Sequence, residues 1–219
     1  MSEETQEIET VRSKRSQLTL EIAGAAIFAD LSIVVGAFIT PIIPRVPGWF
    51  IAIIDPISII WIICLLIFGV RSGLLCSVVG AVGLMPFDPT VWLGPLMKLA
   101  STLSIIIVPI VLLKLYKTDP KIKASQKLKK PRNYVFYGFL GMILRIIVMV
   151  LLNIVVFATI YASELESISL AFLGLPTITG ITAIIIGAPI INAWQSVVDL
   201  LIPYLLVFQT GIDEKFEIW

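Results

Sequence analysis

From residue 18 to residue 208, long apolar stretches alternate with short polar breaks. Stretches such as residues 51–70 and 143–160 carry few charges, and about 18 or more apolar residues suffice to cross the hydrocarbon layer as helix. Breaks rich in Pro, Gly and charge delimit six apolar spans, near residues 18–40, 53–68, 72–84, 93–115, 134–162 and 188–208. The pattern predicts an all-α integral membrane protein: a compact bundle of six transmembrane helices in a single domain over residues 18–208. A polar segment, 1–17, precedes it and a tail, 209–219, follows it.

Two stretches fit this pattern less well. The third span makes a helix of only about 20 Å at 1.5 Å per residue, less than a full bilayer. Residues 168–188 are apolar but carry Gly174, Pro176, Gly180 and Gly187, with Pro189 next. Such residues interrupt helix, so the expectation is a re-entrant or irregular outer segment before the sixth span, with an extra crossing as the alternative.

Composition removes the soluble alternatives. Hydrophobic residues make up 58% and charged residues 14%, against roughly 45–50% and 25% in a soluble domain. The net charge of +1 says little, but its distribution orients the chain. Lys117, Lys121, Lys123, Lys127, Lys129, Lys130 and Arg132, with the single acid Asp119, crowd the connector 116–133, which the positive-inside tendency makes cytoplasmic. Counting from there puts Arg12, Lys14, Arg15, Arg71 and the tail on the same side, so both termini are expected in the cytoplasm. Arg45 is the one base in the expected outer connectors, which hold Asp55, Asp88, Glu164 and Glu166. The first 16 residues lack the basic-then-apolar order of a signal peptide. No aromatic residues interleave with the basic connector, which therefore reads as a face for anionic membrane lipid rather than for nucleic acid.

The chain has no histidine, which removes the usual general base and the commonest transition-metal ligand. Cys64 and Cys76 stand in apolar surroundings and read as small buried hydrophobes. No phosphate-binding GxxxxGK[ST] motif occurs, so any ATP hydrolysis belongs to another chain. No catalytic residue, metal ligand or cofactor is predicted. Within the spans stand Asp30, Lys98, Arg145 and Asp199, each costing about 2.5–3.5 kcal/mol on insertion scales unless it faces protein or water. Arg145 has Asp30 and Asp199 as candidate partners, and Lys98 is expected to snorkel outward. A packing ion pair and a ligand-binding role both remain open for these charges. Asn153, Asn192 and Gln195 add amides that need partners in hydrocarbon. Trp49, Phe50, Phe87, Trp92, Tyr161 and Trp194 fall on the outer side, as an interfacial belt or as stacking groups. Ala25 and Ala29 stand four apart on the first span, a spacing that lets another helix approach closely.

The order of several short motifs is family-like. After the small-residue first span come Ile54-Asp55-Pro56-Ile57-Ser58, then Phe68-Gly69-Val70-Arg71-Ser72-Gly73 with Gly80. Trp92-Leu93-Gly94-Pro95 enters the fourth span, Gly141 to Met149 with Asn153 mark the fifth, and Pro189-Ile190-Ile191-Asn192 opens the sixth. Together they resemble the substrate-binding S components of energy-coupling factor (ECF) transporters, nearest to the riboflavin-type members. That resemblance implies a multi-pass subunit of a prokaryotic cell membrane that captures a vitamin, a riboflavin-like flavin first, at its outer face. It also implies docking on a transmembrane coupling subunit driven by two cytoplasmic ATPases, the chain itself being no enzyme. Carried over residue by residue, it assigns Ala25 and Ala29 to the coupling subunit, and Asp55, Trp92, Lys98, Asn153, Asn192 and Gln195 to the pocket. The departures are Gly69-Val70 for a Gly-Pro turn and Trp194-Gln195 where a lysine is common. The alternatives are an intramembrane enzyme acting on a lipid or isoprenoid, using Asp30, Asp55 or Asp88, and an accessory membrane subunit.

Overall fold

Helix α1 covers Glu3–Phe38, and its apolar part continues through a 3-10 turn to Ile42. The computed structural model describes residues 3–47, 49, 51–115 and 124–216, with side chains from residue 15 onward. Phe50, Lys117, Asp119, Lys121 and Lys123, and the side chains of Arg12 and Lys14, lie outside the described residues. Beyond α1 come α2 (Pro56–Phe68), α3 (Val70–Leu84), α4 (Leu93–Leu115), a short α5 (Ala124–Lys129), α6 (Pro131–Thr159), α7 (Gly180–Tyr204) and a short α8 (Ile212–Phe216). Four segments, Arg15–Ile42, Leu93–Leu115, Pro131–Thr159 and Gly180–Gln209, are long and apolar enough to cross a membrane.

Asp55 sets where α2 begins. Its side chain accepts the Ile57 amide at 3.1 Å as an N-cap, and Pro56 takes the first helical position, where a missing N–H costs nothing. Gly69, at φ 94°, ends α2 and starts α3 at once, so the two short helices fold back on each other. Gly73 lies so close to Leu65 that a β-carbon would stand 2.8 Å from the Leu65 Cα. Farther along the hairpin, a β-carbon on Gly80 would stand 2.6 Å from both Ser32 Oγ and Trp61 Nε1. Trp61 donates to Ser32 at 2.9 Å across that three-helix contact. Helix α2 is apolar on every side and buried except at Pro56 and Ile63, as expected of an element surrounded by other helices.

Ala25 and Ala29 sit in this contact, 1% and 0% exposed. The small-residue face of α1 thus packs against α2 and α3 inside the bundle, a correction to its assignment to a partner. The open face of α1 carries Ala23, Ala26, Ile27, Asp30 and Leu31 instead.

Helices α4, α6 and α7 form the other side. Pro109 removes the amide that would bond the Ile105 carbonyl, and Gly141 of α6 rests against that carbonyl, where any β-carbon would collide. The stretch 168–188 divides in two. Residues 160–179 run through 3-10 turns at Ala162–Ser167 and Ala171–Leu173 and a small antiparallel pair, β1 (Ser169–Leu170) with β2 (Leu175–Thr179). From Gly180 the chain is helical, eight residues before the expected start of the sixth span, so the irregular part of the stretch ends at Thr179. Gly187 does not break α7; it lies under Trp49, whose ring carbon would be 2.6 Å from a β-carbon there. Pro189 is likewise accommodated within the helix.

Successive long helices run in opposite directions. Phe68, at the end of α2, meets both Gly24 of α1 and Phe216 of α8, while the start of α2 meets α4 through Asp55 and Lys98. One end of the bundle is therefore marked by Asp55 and Lys98, the other by α5 and α8. Apolar side chains cover the outside, with Ile27, Val82, Leu151 and Trp194 more than half exposed, while Arg145, Asn153, Asn192 and Asp199 are buried. A water-soluble bundle has the reverse distribution, so lengths and surface alike are those of a membrane protein.

Candidate functional site

At the Asp55 end a cavity of about 160 Å³ opens between α4, α6, α7 and the connector from Thr40 to Asp55. Helical periodicity aims the lining side chains inward. On α6, Arg145, Met149 and Asn153 recur every four residues along one face, and on α7 Asn192, Gln195 and Asp199 recur at three and four. Helix α4 contributes Lys98 and Ser101, one turn apart. Trp49, Phe157 and Tyr161 supply aromatic surface to the same lining. Trp49 is held by its own indole N–H, which donates to the Ser169 carbonyl at 2.9 Å, so the irregular segment 160–179 braces the cavity wall.

Arg145 forms the floor. Its guanidinium donates to Asp199 at 2.6 Å, to the Gln195 side-chain oxygen at 3.0 Å and to the Asn192 oxygen at 3.3 Å. The amides pass the order onward: Gln195 donates to the Ala52 carbonyl at 2.7 Å and Asn192 to Ala188 at 2.9 Å. Gln195 thereby ties α7 to the connector. Arg145 and Asp199 are both fully buried, and one Asp199 oxygen has no partner among the described residues. Breaking such a pair by removing one member strands a charge, at a cost of about 3–5 kcal/mol.

Nearer the opening, Lys98 pairs with Asp55 at 3.1 Å instead of snorkelling outward. The Asp55 carboxylate also accepts Ser58 Oγ at 3.2 Å, and Ser58 in turn accepts Thr102 Oγ1 at 2.8 Å. A polar ladder thus joins α2 to α4. Asp88 accepts both the amide and the hydroxyl of Thr90, shaping the turn that leads into α4.

Of the residues singled out from sequence, Asp55, Lys98, Asn153, Asn192 and Gln195 meet on this one cavity. Trp92 does not; it is 49% exposed and points away from the lining. Asp30 does not reach Arg145; it is exposed on α1 with no hydrogen bond or ion pair among the described residues. Trp49 and Tyr161, expected in the outer aromatic group, line the cavity, whereas Phe87 and Trp194 are exposed. Ser101 was not singled out, although its position three residues after Lys98 puts it on the same helical face. Among the described residues no group of acidic, Cys or His side chains is arranged to hold a metal ion. The arrangement is an apolar and aromatic enclosure with a few fixed polar groups, the composition of a small-molecule binding site.

In comparison with known proteins, the chain matches no family model, no curated protein and no solved structure.

Proposed function

We propose that the chain is the substrate-binding S component of an ECF-type vitamin transporter, with a riboflavin-like flavin as the first candidate ligand. In this reading it crosses a prokaryotic cell membrane six times, with both termini in the cytoplasm and the cavity facing outward. The observation that carries the proposal is the convergence of Asp55, Lys98, Asn153, Asn192 and Gln195, drawn from separate segments, on one aromatic-walled cavity. Burial of a flat ring there, with hydrogen bonds at its edge, gives affinity without chemistry. The shortness of α2 does not oppose six crossings, because neighbouring helices rather than lipid surround it.

Binding energy alone cannot drive net uptake, since a ligand only shifts populations by its differential affinity. A coupling subunit with two cytoplasmic ATPases supplies the drive. Docking then uses the open face of α1, around Ala26, Ile27 and Asp30, because Ala25 and Ala29 are enclosed. A carboxylate at that depth calls for a donor on the partner helix.

Mass spectrometry of small molecules released from the purified chain tests the proposal. A vitamin present in stoichiometric amount supports it. Conversion of lipid substrates by the isolated chain, with no bound vitamin, replaces it with an intramembrane enzyme.

A further inference from the structure

The hydrogen-bonding inventory of the cavity is lopsided. Both acids on its lining already have partners: Asp55 accepts Ile57 N, Ser58 Oγ and Lys98 Nζ, and Asp88 accepts Thr90 twice. The side-chain oxygens of Asn192 and Gln195 are taken by Arg145. Donors, by contrast, remain. An ammonium carries three N–H groups, and Lys98 uses one, toward Asp55. The Ser101 hydroxyl, on the same face of α4, has no hydrogen-bond partner among the described residues although it is 5% exposed and lines the cavity. Of the lining amides, the Asn153 oxygen has no partner among the described residues, its nitrogen donating to Met149 at 2.7 Å.

We infer that the cavity selects a ligand with an acceptor-rich edge, ring carbonyls or a carboxylate, held by Lys98 and Ser101, and rejects cationic ligands. This rests on the reading of the cavity as a capture site. Lys98 and Arg145 both face the space, and Asp55, the acid beside Lys98, already accepts Ile57 N, Ser58 Oγ and Lys98 Nζ. A cation entering beside Lys98 and Arg145 would meet like charge while losing hydration. An acceptor edge instead satisfies the ammonium and the hydroxyl together, while the Asn153 oxygen takes a ring N–H or hydroxyl. The aromatic wall of Trp49, Phe157 and Tyr161 accommodates the rest of the molecule.

Equilibrium binding to the purified full chain tests this with three probes: riboflavin, which has neutral ring carbonyls; biotin, which has a carboxylate; and thiamine, a cation. Riboflavin or biotin is expected to bind and thiamine not, and which of the first two binds separates the ring-carbonyl edge from the carboxylate. Lys98→Met is expected to weaken that binding by about ten- to a hundredfold, and Ser101→Ala by about three- to tenfold, the range for charged and neutral hydrogen bonds. Lys98→Met keeps the Asp55 cap to Ile57 and Ser58, and a thermal midpoint for each variant separates lost binding from lost fold. Lys98→Arg is expected to bind more tightly than Lys98→Met. Thiamine binding at least as tight as either other probe, or binding unchanged in both Lys98→Met and Ser101→Ala, overturns the inference and leaves the capture reading standing. Failure of all three probes to bind overturns both.

Discussion

Each end of the bundle carries a lysine paired to an aspartate at 3.1 Å, Lys98 with Asp55 at one and Lys129 with Asp213 at the other, and the two pairs do opposite work. Around Lys98 the helices stand apart, donors remain unused and a cavity of about 160 Å³ lies between them. Around Lys129 there is closure. Its ammonium also bonds Glu214 at 2.7 Å, and its carbonyl accepts the Tyr204 hydroxyl at 3.0 Å. Tyr134, Tyr204 and Phe208 pack ring on ring beside it, with centroids 4.8 to 6.2 Å apart, and a gap lined by Tyr134 and Leu128 measures only about 20 Å³. A cation in a loose polar setting offers hydrogen bonds to a newcomer, whereas the same cation satisfied on several sides seals a seam. The difference lies in what remains unoccupied around the charge.

Arg145 and Asp199 separate the two ends, and changing them is expected to have the largest effect. Arg145→Met strands a buried carboxylate and also releases Asn192 and Gln195, so a loss of about 3–5 kcal/mol of stability is expected. Asp199→Leu strands the guanidinium with a similar result. Combining the two removes both charges and is expected to recover much of the loss, as measured by thermal unfolding in detergent. If the double variant is as unstable as the singles added together, the pair is not what joins the halves.

Next comes close packing at the apolar contacts. Gly80→Leu inserts a side chain into the Ser32–Trp61 hydrogen bond, and overpacking of this kind costs about 1–3 kcal/mol. Because this contact lies away from the cavity, the expected outcome is a lowered thermal midpoint with ligand affinity unchanged in the protein that remains folded. A parallel fall in affinity would mean that the α1–α3 contact shapes the cavity after all.

The outlines of this division are legible in the sequence, but not its details. Apolar length and Pro–Gly punctuation locate the four helices long enough to cross a membrane, since a helix in hydrocarbon must be long and apolar. The start of α7 was not legible, because Gly180, Gly187 and Pro189 weaken a helix in isolation, yet Gly187 here makes room for Trp49. Amides and charges within apolar spans marked Arg145, Asn153, Asn192 and Gln195 as groups in need of partners, and these meet at the cavity. The pairing of Lys98 was hidden, because Asp55 lies 43 residues away. The direction of each aromatic side chain was equally hidden: Trp49 turns inward because Ser169, 120 residues on, takes its N–H, while nothing draws Trp92 inward. Ala25 and Ala29 show the same ambiguity, since small residues permit close approach without saying to which neighbour.

A smaller effect is expected from Asp30→Leu. The carboxylate is exposed and makes no hydrogen bond or ion pair among the described residues, so the isolated chain is expected to keep its thermal midpoint and its ligand affinity. If the proposed coupling subunit docks on this face, its recovery in a pull-down is expected to fall. If recovery is unchanged while Ala25→Trp abolishes it in protein that is still folded, docking does not use the open face.

The smallest effect belongs to the closed end and depends on pH. The hydrogen bond from Lys129 holds the Glu214 carboxyl below its usual range, and the bond to Glu214, opposed by desolvation and aided by Asp213, raises the Lys129 ammonium. A lowered carboxyl stabilises the fold fully above its unfolded pKa, about 4.3, and the benefit fades as pH falls through the lowered value. A raised ammonium stabilises fully below its unfolded pKa, about 10.4, and loses that benefit as pH rises through the raised value. The contact is therefore expected to be at full strength between about pH 5 and pH 9. Glu214 is exposed, so solvent screens most of its attraction and Glu214→Gln is expected to lower the thermal midpoint only slightly. The deficit relative to the unaltered chain should be constant across that window and should shrink as pH falls below the unfolded value and through the lowered one, where the Glu214 carboxyl becomes neutral. A deficit that grows on acidification would assign the seam to the aromatic packing of Tyr134, Tyr204 and Phe208 rather than to the ion pair. Ligand affinity should not respond to this substitution at any pH, because the contact lies at the opposite end of the bundle from the cavity.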